Sequence, residues 1–419
     1  MRVLLITFGS AGDVHPMIAL GRALQDRGVR VTLVTNGYFQ RIAQDAGLGF
    51  TALGKADEYL NTIQNPALWH HRKGFEVVAR AGILPAIRPV YDLIAQYDPQ
   101  ETILVASSLI FGARIAQEKL GFRLISVHLQ PSMFRSVYET PVMPGMIGVS
   151  KMPVFAKRWM YRAVDAFALD PVLGPETNAF RRELGLSPVK SLFGAWIHSP
   201  DRVVGLFPDW FAPPQSDWPA QTVLPGFVRF DRAELENEIP ATVEAFLESG
   251  DPPVVFTPGT AMQHGSAFFA VAVDACKLLG RRGLLLTQHN EHLPTALPDS
   301  VRHVSYLPFS RTLQRVAALV HHGGIGTCAQ GLAAGIPQLV MPMAHDQPDN
   351  AHRLKRLGVG DFLLPGAFRG KAVAARLDRL LGTLEVTQAC RAFAAKTDFA
   401  EAAQRVCKVV EEHAPVKPV

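Results

Sequence analysis

Val320-His321-His322-Gly323-Gly324-Ile325-Gly326-Thr327 is the stretch on which the reading of this chain turns. An apolar run, residues 318–321, enters a cluster of glycines, and helix-forming sequence starts directly after Gly326. Glycines have no Cβ, so their backbone N–H groups can come close to a phosphate. A helix N-terminus adds a dipole that favours negative charge. The turn is therefore a candidate diphosphate site made of Gly323, Gly324, Gly326 and Thr327, with His321 beside them. A tight strand-to-helix turn enclosing buried histidines explains the glycines as well, because such patterns recur without a ligand.

Downstream, Gly335-Ile336-Pro337-Gln338 leads an apolar strand, 338–341, which is followed by His345-Asp346-Gln347-Pro348-Asp349-Asn350-Ala351. Asp346 and Gln347 fall just past a strand's carboxyl end and just before a helix, 348–357, where open α/β sheets bind their ligands. A carboxylate beside a carboxamide suits the vicinal hydroxyls of a sugar. A plain helix cap accounts for either acid alone. Upstream, the strand 254–257 meets the turn Pro258-Gly259-Thr260, then a helix, 266–279, and a strand, 284–287.

The same rhythm opens the chain. A strand, 3–7, runs into Gly9-Ser10-Ala11-Gly12-Asp13-Val14-His15-Pro16, and a helix is expected from Pro16 to Arg27 with Gly28 as its stop. Further strands are expected at 31–35, 103–106, 124–127 and 203–207, with a helix at 111–120. Repeated β-loop-α units predict an α/β fold of two doubly wound sheets. The 419 residues suit two domains of about 200 each. The expected division is 1–230, 231–395 and a C-terminal helix, 396–419, returning to the first domain. A linker is expected in the Pro/Gly-rich and acidic stretch 225–251.

This combination of motifs resembles the family 1 glycosyltransferases. The resemblance implies a GT-B fold: two facing Rossmann-like domains with an interdomain cleft, the N-terminal one binding the acceptor and the C-terminal one the nucleotide sugar. Tyr306-Leu307-Pro308 looks like the start of the donor signature, with Tyr306 standing where plant members have Trp. His321 looks like its phosphate-contacting histidine, Asp346-Gln347 its sugar-binding pair and Gly259-Thr260 a second phosphate loop. The family's catalytic base, often His, lies three residues before the proline of the N-terminal signature, and Asp13 holds that position here. Ser107 and Ser108 stand where members with a His base carry an orienting Asp. Ser10, His15, His128 and Phe134 are secondary candidates for touching the acceptor, and His264 is a further low candidate after the phosphate loop.

Within the family, the rhamnosyltransferases of rhamnolipid biosynthesis form the most similar subgroup. Gly112-Ala113-Arg114-Ile115-Ala116 and Leu206-Phe207-Pro208 with Trp210-Phe211-Ala212-Pro213-Pro214 carry that likeness. It implies dTDP-L-rhamnose as donor, a 3-(3-hydroxyalkanoyloxy)alkanoate as acceptor, inversion at the anomeric carbon, and no metal or cofactor. An apolar acceptor region is offered by Leu84, Ile87, Val90, Met133, Phe134, Tyr138, Met143 and Met146, although core packing claims many such residues. The open alternatives are a polyketide, sterol or other hydrophobic acceptor with a UDP- or dTDP-sugar, a nucleotide-sugar epimerase, and a non-catalytic sugar-nucleotide-binding subunit.

Composition narrows the rest. Hydrophobic residues make up 48% and charged residues 19%, which describes a globular chain. A net charge of +5, with no basic run interleaved with aromatics, gives no case for nucleic acid. The four cysteines, Cys276, Cys328, Cys390 and Cys407, lack metal-ligand spacing, and no Asp-x-Asp metal motif stands at a strand end. The opening apolar run is too short for a signal peptide, and none reaches the roughly 20 residues of a membrane span. The expectation is a cytoplasmic protein. Association with the inner membrane face or a partner enzyme is left open, as is the oligomeric state.

Overall fold

A computed structural model describes residues 1–70, 73–144, 148–231, 239–259 and 265–414. Its contacts divide into two compact units: Met1–Val228 with Phe399–Val419, and Arg229–Asp398. Each holds one parallel sheet.

The first unit has seven strands, β1 (Arg2–Ile6), β2 (Arg30–Thr35), β3 (Gly49–Ala52), β4 (Thr102–Ser107), β5 (Arg123–His128), β6 (Arg202–Gly205) and β7 (Thr222–Val223). Their order is β3-β2-β1-β4-β5-β6-β7, all parallel. Continuous runs such as Val3-Leu4-Leu5-Ile6 are buried because helices cover both faces of such a sheet. The order reverses between β1 and β4, where Ile6 pairs with Ala106. The crevice at their carboxyl ends is thus the topological switch point of the sheet.

The first helix begins earlier than the sequence suggests. It spans Ala11–Gln25, not Pro16 onward, and holds Pro16 in its interior. Ser10 is its N-cap and Asp13 its third residue, so the two form a capping box. The C-terminal helix Phe399–Glu412 packs on this first helix, with Val406, Cys407 and Val410 buried. Arg27 clamps Glu411 through two bonds of 2.6 Å. Leu84, Ile87 and Val90, expected near the acceptor, sit in the core between the helices Leu84–Ile94 and Phe111–Leu120.

The second unit has six strands: β8 (Val254–Thr257), β9 (Gly283–Leu286), β10 (Val301–Val304), β11 (Ala318–His321), β12 (Gln338–Val340) and β13 (Gly360–Phe362). They run parallel in the order β10-β9-β8-β11-β12-β13, reversing between β8 and β11. Both units therefore share one Rossmann-like plan. No helix among the described residues is long and apolar enough to cross a membrane.

Candidate active site

In the second unit, the two strands at the switch point end in the two glycine turns singled out in the sequence. Thr257-Pro258-Gly259 closes β8, and His321-His322-Gly323-Gly324 closes β11. Gly323 has φ +96°, and a Cβ there would lie 2.7 Å from Val340 Cγ1, so both conformation and space demand glycine. Gly324 caps the helix Ile325–Ala334 without any side-chain bond to its first N–H groups. A Cβ on Gly326 would meet nothing within 4 Å, so that turn of helix faces open space. Uncapped donors and an approachable backbone make this end an anion site. Thr327 lies half-buried in the first turn of the same helix.

The two adjacent histidines divide their roles differently from the sequence expectation. His321 is wholly buried. Its Nδ1 accepts the Gly323 N–H at 3.1 Å and its Nε2 meets Gln338 Oε1 at 3.0 Å. That pattern assigns the neutral Nε2–H tautomer and leaves neither nitrogen for a phosphate. Burial, then His322, lowers its pKa to about 3. His322 instead packs against both glycine turns, since a Cβ on Gly259 or Gly324 would fall 2.7 Å or 2.6 Å from its ring. Its Nδ1 is buried without a hydrogen-bond partner, and burial holds its pKa down to about 4. The histidine placed to meet a phosphate is therefore His322.

Asp346 caps the helix Gln347–Arg356, following His345, which has φ +56°. Asn350 Nδ2 donates to Asp346 Oδ2 at 2.6 Å and to the Gly323 carbonyl at 2.9 Å, tying the sugar-pair loop to the phosphate turn. Asn350 Oδ1 is buried without a partner. Gln347 Oε1 accepts from the N–H groups of Met343 and Ala344 at 2.8 and 3.1 Å, so that oxygen holds the loop in shape. Tyr306 donates its hydroxyl to Asp231 Oδ1 at 3.0 Å. The Leu307 side chain is buried in the core cluster with Leu313 and Leu319, which leaves only its backbone for a ligand. Thr260 and His264 lie outside the described residues, as does Met146.

In the first unit, Asp13 stands beside the carboxyl end of β1. Its Oδ2 accepts from Ser10 N at 2.7 Å and Ser10 Oγ at 3.0 Å. These bonds favour the carboxylate, yet desolvation outweighs them and its pKa is pushed up to about 6. Gly9, at φ +125°, makes room for it, because a Cβ there would lie 2.3 Å from Asp13 Oδ2. The sequence reading missed a neighbouring aromatic group. Tyr59 stacks at 4.8 Å on the exposed Tyr38 and at 5.4 Å on Phe39. Burial, then Tyr38 and Asp13, raise the Tyr59 pKa, which brings this group within electrostatic reach of the carboxylate. The cue was Gly37-Tyr38-Phe39 directly after a strand end.

His15 is half-buried, one residue before Pro16 on the same helix. His128 and Phe134 are buried rather than surface contacts for an acceptor. His128 Nδ1 lies 2.8 Å from Ser108 Oγ and its Nε2 lies 2.9 Å from His198 Nδ1, forming one chain of three side chains. Burial, then His198, keeps His128 neutral. Phe134 stacks on Trp218 at 4.5 Å and meets His128 edge-on at 4.6 Å. Among the described residues, no group of three or more His, Cys, Asp or Glu could hold a metal ion.

Comparison with known proteins agrees with this geometry. Residues 3–139 match the glycosyltransferase family 28 N-terminal domain, and residues 283–412 match the C-terminal domain of erythromycin biosynthesis protein CIII-like proteins. The O-mycaminosyltylonolide 6-deoxyallosyltransferase of Streptomyces fradiae is 27% identical, over 100% of this chain and 98% of its own. The calicheamicin glycosyltransferase CalG4 superposes with a TM-score of 0.74 at 18% identity, covering 100% of this chain and 99% of that one. The spinosyn rhamnosyltransferase SpnG, complexed with thymidine diphosphate, gives 0.69 at 18% identity, covering 97% and 100%. The chain is a glycosyltransferase of the GT-B fold, with a family 28-type N-terminal domain and an EryCIII-like C-terminal domain.

Proposed function

We propose that this enzyme transfers a sugar from a nucleoside diphosphate to the hydroxyl of an apolar acceptor, with inversion, and that Asp13 is the general base. The observation that carries the reading is the Asp13 carboxyl at the mouth of the first switch point, with a pKa of about 6. Such a group is ionised at neutral pH and still basic enough to take a proton. The acceptor O–H gives its proton to Asp13 as its oxygen bonds to the anomeric carbon. The bond from that carbon to the diphosphate breaks, and the nucleoside diphosphate leaves. Its charge is met by the uncapped N-terminus at Ile325–Gly326 and by His322 Nδ1, which donates in the Nδ1–H tautomer. Asp346 and the Gln347 amide nitrogen bind the sugar hydroxyls. Tyr306 and the Leu307 backbone meet the base, and Gly259 and Thr260 add the second phosphate loop.

The donor is dTDP-L-rhamnose and the acceptor a 3-(3-hydroxyalkanoyloxy)alkanoate. The support for that step is the sequence resemblance around Gly112–Ala116 and Leu206–Pro214. The Streptomyces fradiae relative, named for transfer of a 6-deoxyhexose to O-mycaminosyltylonolide, favours a second reading in which a polyketide takes the acceptor's place. A donor panel read by mass spectrometry, with both acceptor types, separates the two. Rhamnosylated lipid is expected. Transfer from UDP-glucose but not dTDP-rhamnose overturns the donor, and transfer to the polyketide alone overturns the acceptor. Turnover of the nucleotide sugar with no acceptor present would point to an epimerase.

A further inference from the structure

The helix Val154–Val164, with the π-turn Asp165–Leu169 that follows it, is built inside out. Lys157, Tyr161 and Asp165 recur at i, i+4 and i+8, and this polar row is the one that faces the protein. Lys157 Nζ donates to the Val137 carbonyl at 3.1 Å, the Tyr161 hydroxyl donates to the Ser136 carbonyl at 3.3 Å, and Asp165 pairs with Arg135. On the other side Phe155 and Trp159 are each 67% exposed, and Phe167, carried round by the wider π-turn, is 85% exposed. A surface helix ordinarily does the reverse, burying its aromatics and showing its charges.

The outward face is also one-signed. Lys151, Arg158 and Arg162 are exposed beside the aromatics, with the Arg162 guanidinium 5.6 Å from the Trp159 ring centroid. From Thr140 to Val164 the sequence holds four basic residues and no acidic one. A second copy of the protein would set these cations against themselves across a twofold axis, whereas an anionic surface would neutralise them. Trp, Phe and Arg together are the chemistry of a bilayer interface, with rings at headgroup depth and guanidinium groups on phosphates.

We propose that Phe155, Trp159 and Phe167, flanked by Lys151, Arg158 and Arg162, form a docking face for an anionic lipid bilayer. The inference does not depend on which acceptor the enzyme uses. Co-sedimentation with phosphatidylglycerol/phosphatidylcholine vesicles, beside pure phosphatidylcholine, tests it in the full-length protein. Strong pelleting with the anionic vesicles is expected, weakening as salt rises. An Arg158→Gln/Arg162→Gln variant should bind about 25-fold more weakly, at about fivefold per charge. Trp159→Ser/Phe167→Ser should abolish binding while thermal unfolding and transfer to a water-soluble acceptor stay unchanged. Equal binding to both vesicle types overturns the proposal. So does binding that survives the aromatic substitutions, or a face that mediates dimerisation with no vesicle binding.

Discussion

The carboxylate of Asp13 accepts two hydrogen bonds from Ser10 and still keeps its proton up to a pH of about 6, because desolvation is the larger effect. If it is the base, kcat/KM should climb tenfold per pH unit below about 6 and level off above it. Asp13→Asn should cut kcat by about 10²–10⁴-fold. Its effect on stability has the opposite sign. Folding raises this group's pKa above the ordinary aspartate value of 3.8, so the folded state binds more protons between the two values. The stability this provides is complete below the lower value and lost as pH rises through about 6. Melting curves from pH 4 to 8 should therefore show Asn gaining on Asp as pH rises. Two adjacent histidines offer a second contrast. His321→Ala removes a buried, doubly bonded ring and should cost about 2–4 kcal/mol of stability. His322→Ala should leave the melting temperature nearly unchanged and raise the donor KM about tenfold or more. The sequence could show that two histidines preceded the glycines. Which one turned inward depended on the position of Gln338 on the neighbouring strand, a contact across the sheet that no local pattern records.

Elements with long apolar runs or full helical periods are legible in the amino-acid sequence, and short edge pieces are not. The strands β3, β7, β10 and β13 have two to four residues each and include Thr51, Arg302, His303 and Asp361. Pairing on one side holds them, without the apolar alternation that would announce them. The start of the first helix is obscured for another reason. Pro16 draws attention as a first-turn residue, whereas the Ser10–Asp13 spacing is the true cap signal. The apolar insertion 131–188 is visible by composition, but its sidedness is not. Phe134 goes inside and Trp159 outside, and both are aromatic. At this scale the helix Ile325–Ala334 yields a clean test. Gly326→Ala adds a methyl facing open space at a helical position and should stabilise the fold by up to about 1 kcal/mol. The same methyl should obstruct a phosphate and weaken nucleotide binding by calorimetry. Gly323→Ala meets Val340 at φ +96° and should instead cost about 1–3 kcal/mol, visible in denaturant melts.

The chain passes between its two units twice, at Val228–Arg229 and at Asp398–Phe399. The last helix, Phe399–Glu412, thereby belongs to the unit that begins the chain, bound through Ala402, Val406 and Val410 and the Arg27–Glu411 pair. Truncation after Asp398 exposes that seat and should cost the first unit on the order of 5 kcal/mol, read as an early melting transition. All four cysteines are buried, with Cys276 and Cys390 pushed up to about 12, so native-state alkylation should be slow in the intact protein and quicken only on unfolding. The double crossing also bears on heredity. The donor-binding half is an insert with two seams, so a recombinant that trades it between relatives must cut at both. Single-junction hybrids would pair a foreign terminal helix with the native opening helix and inherit a mismatched seam, whereas a cassette exchange of residues 229–398 would leave the parent's own closure in place.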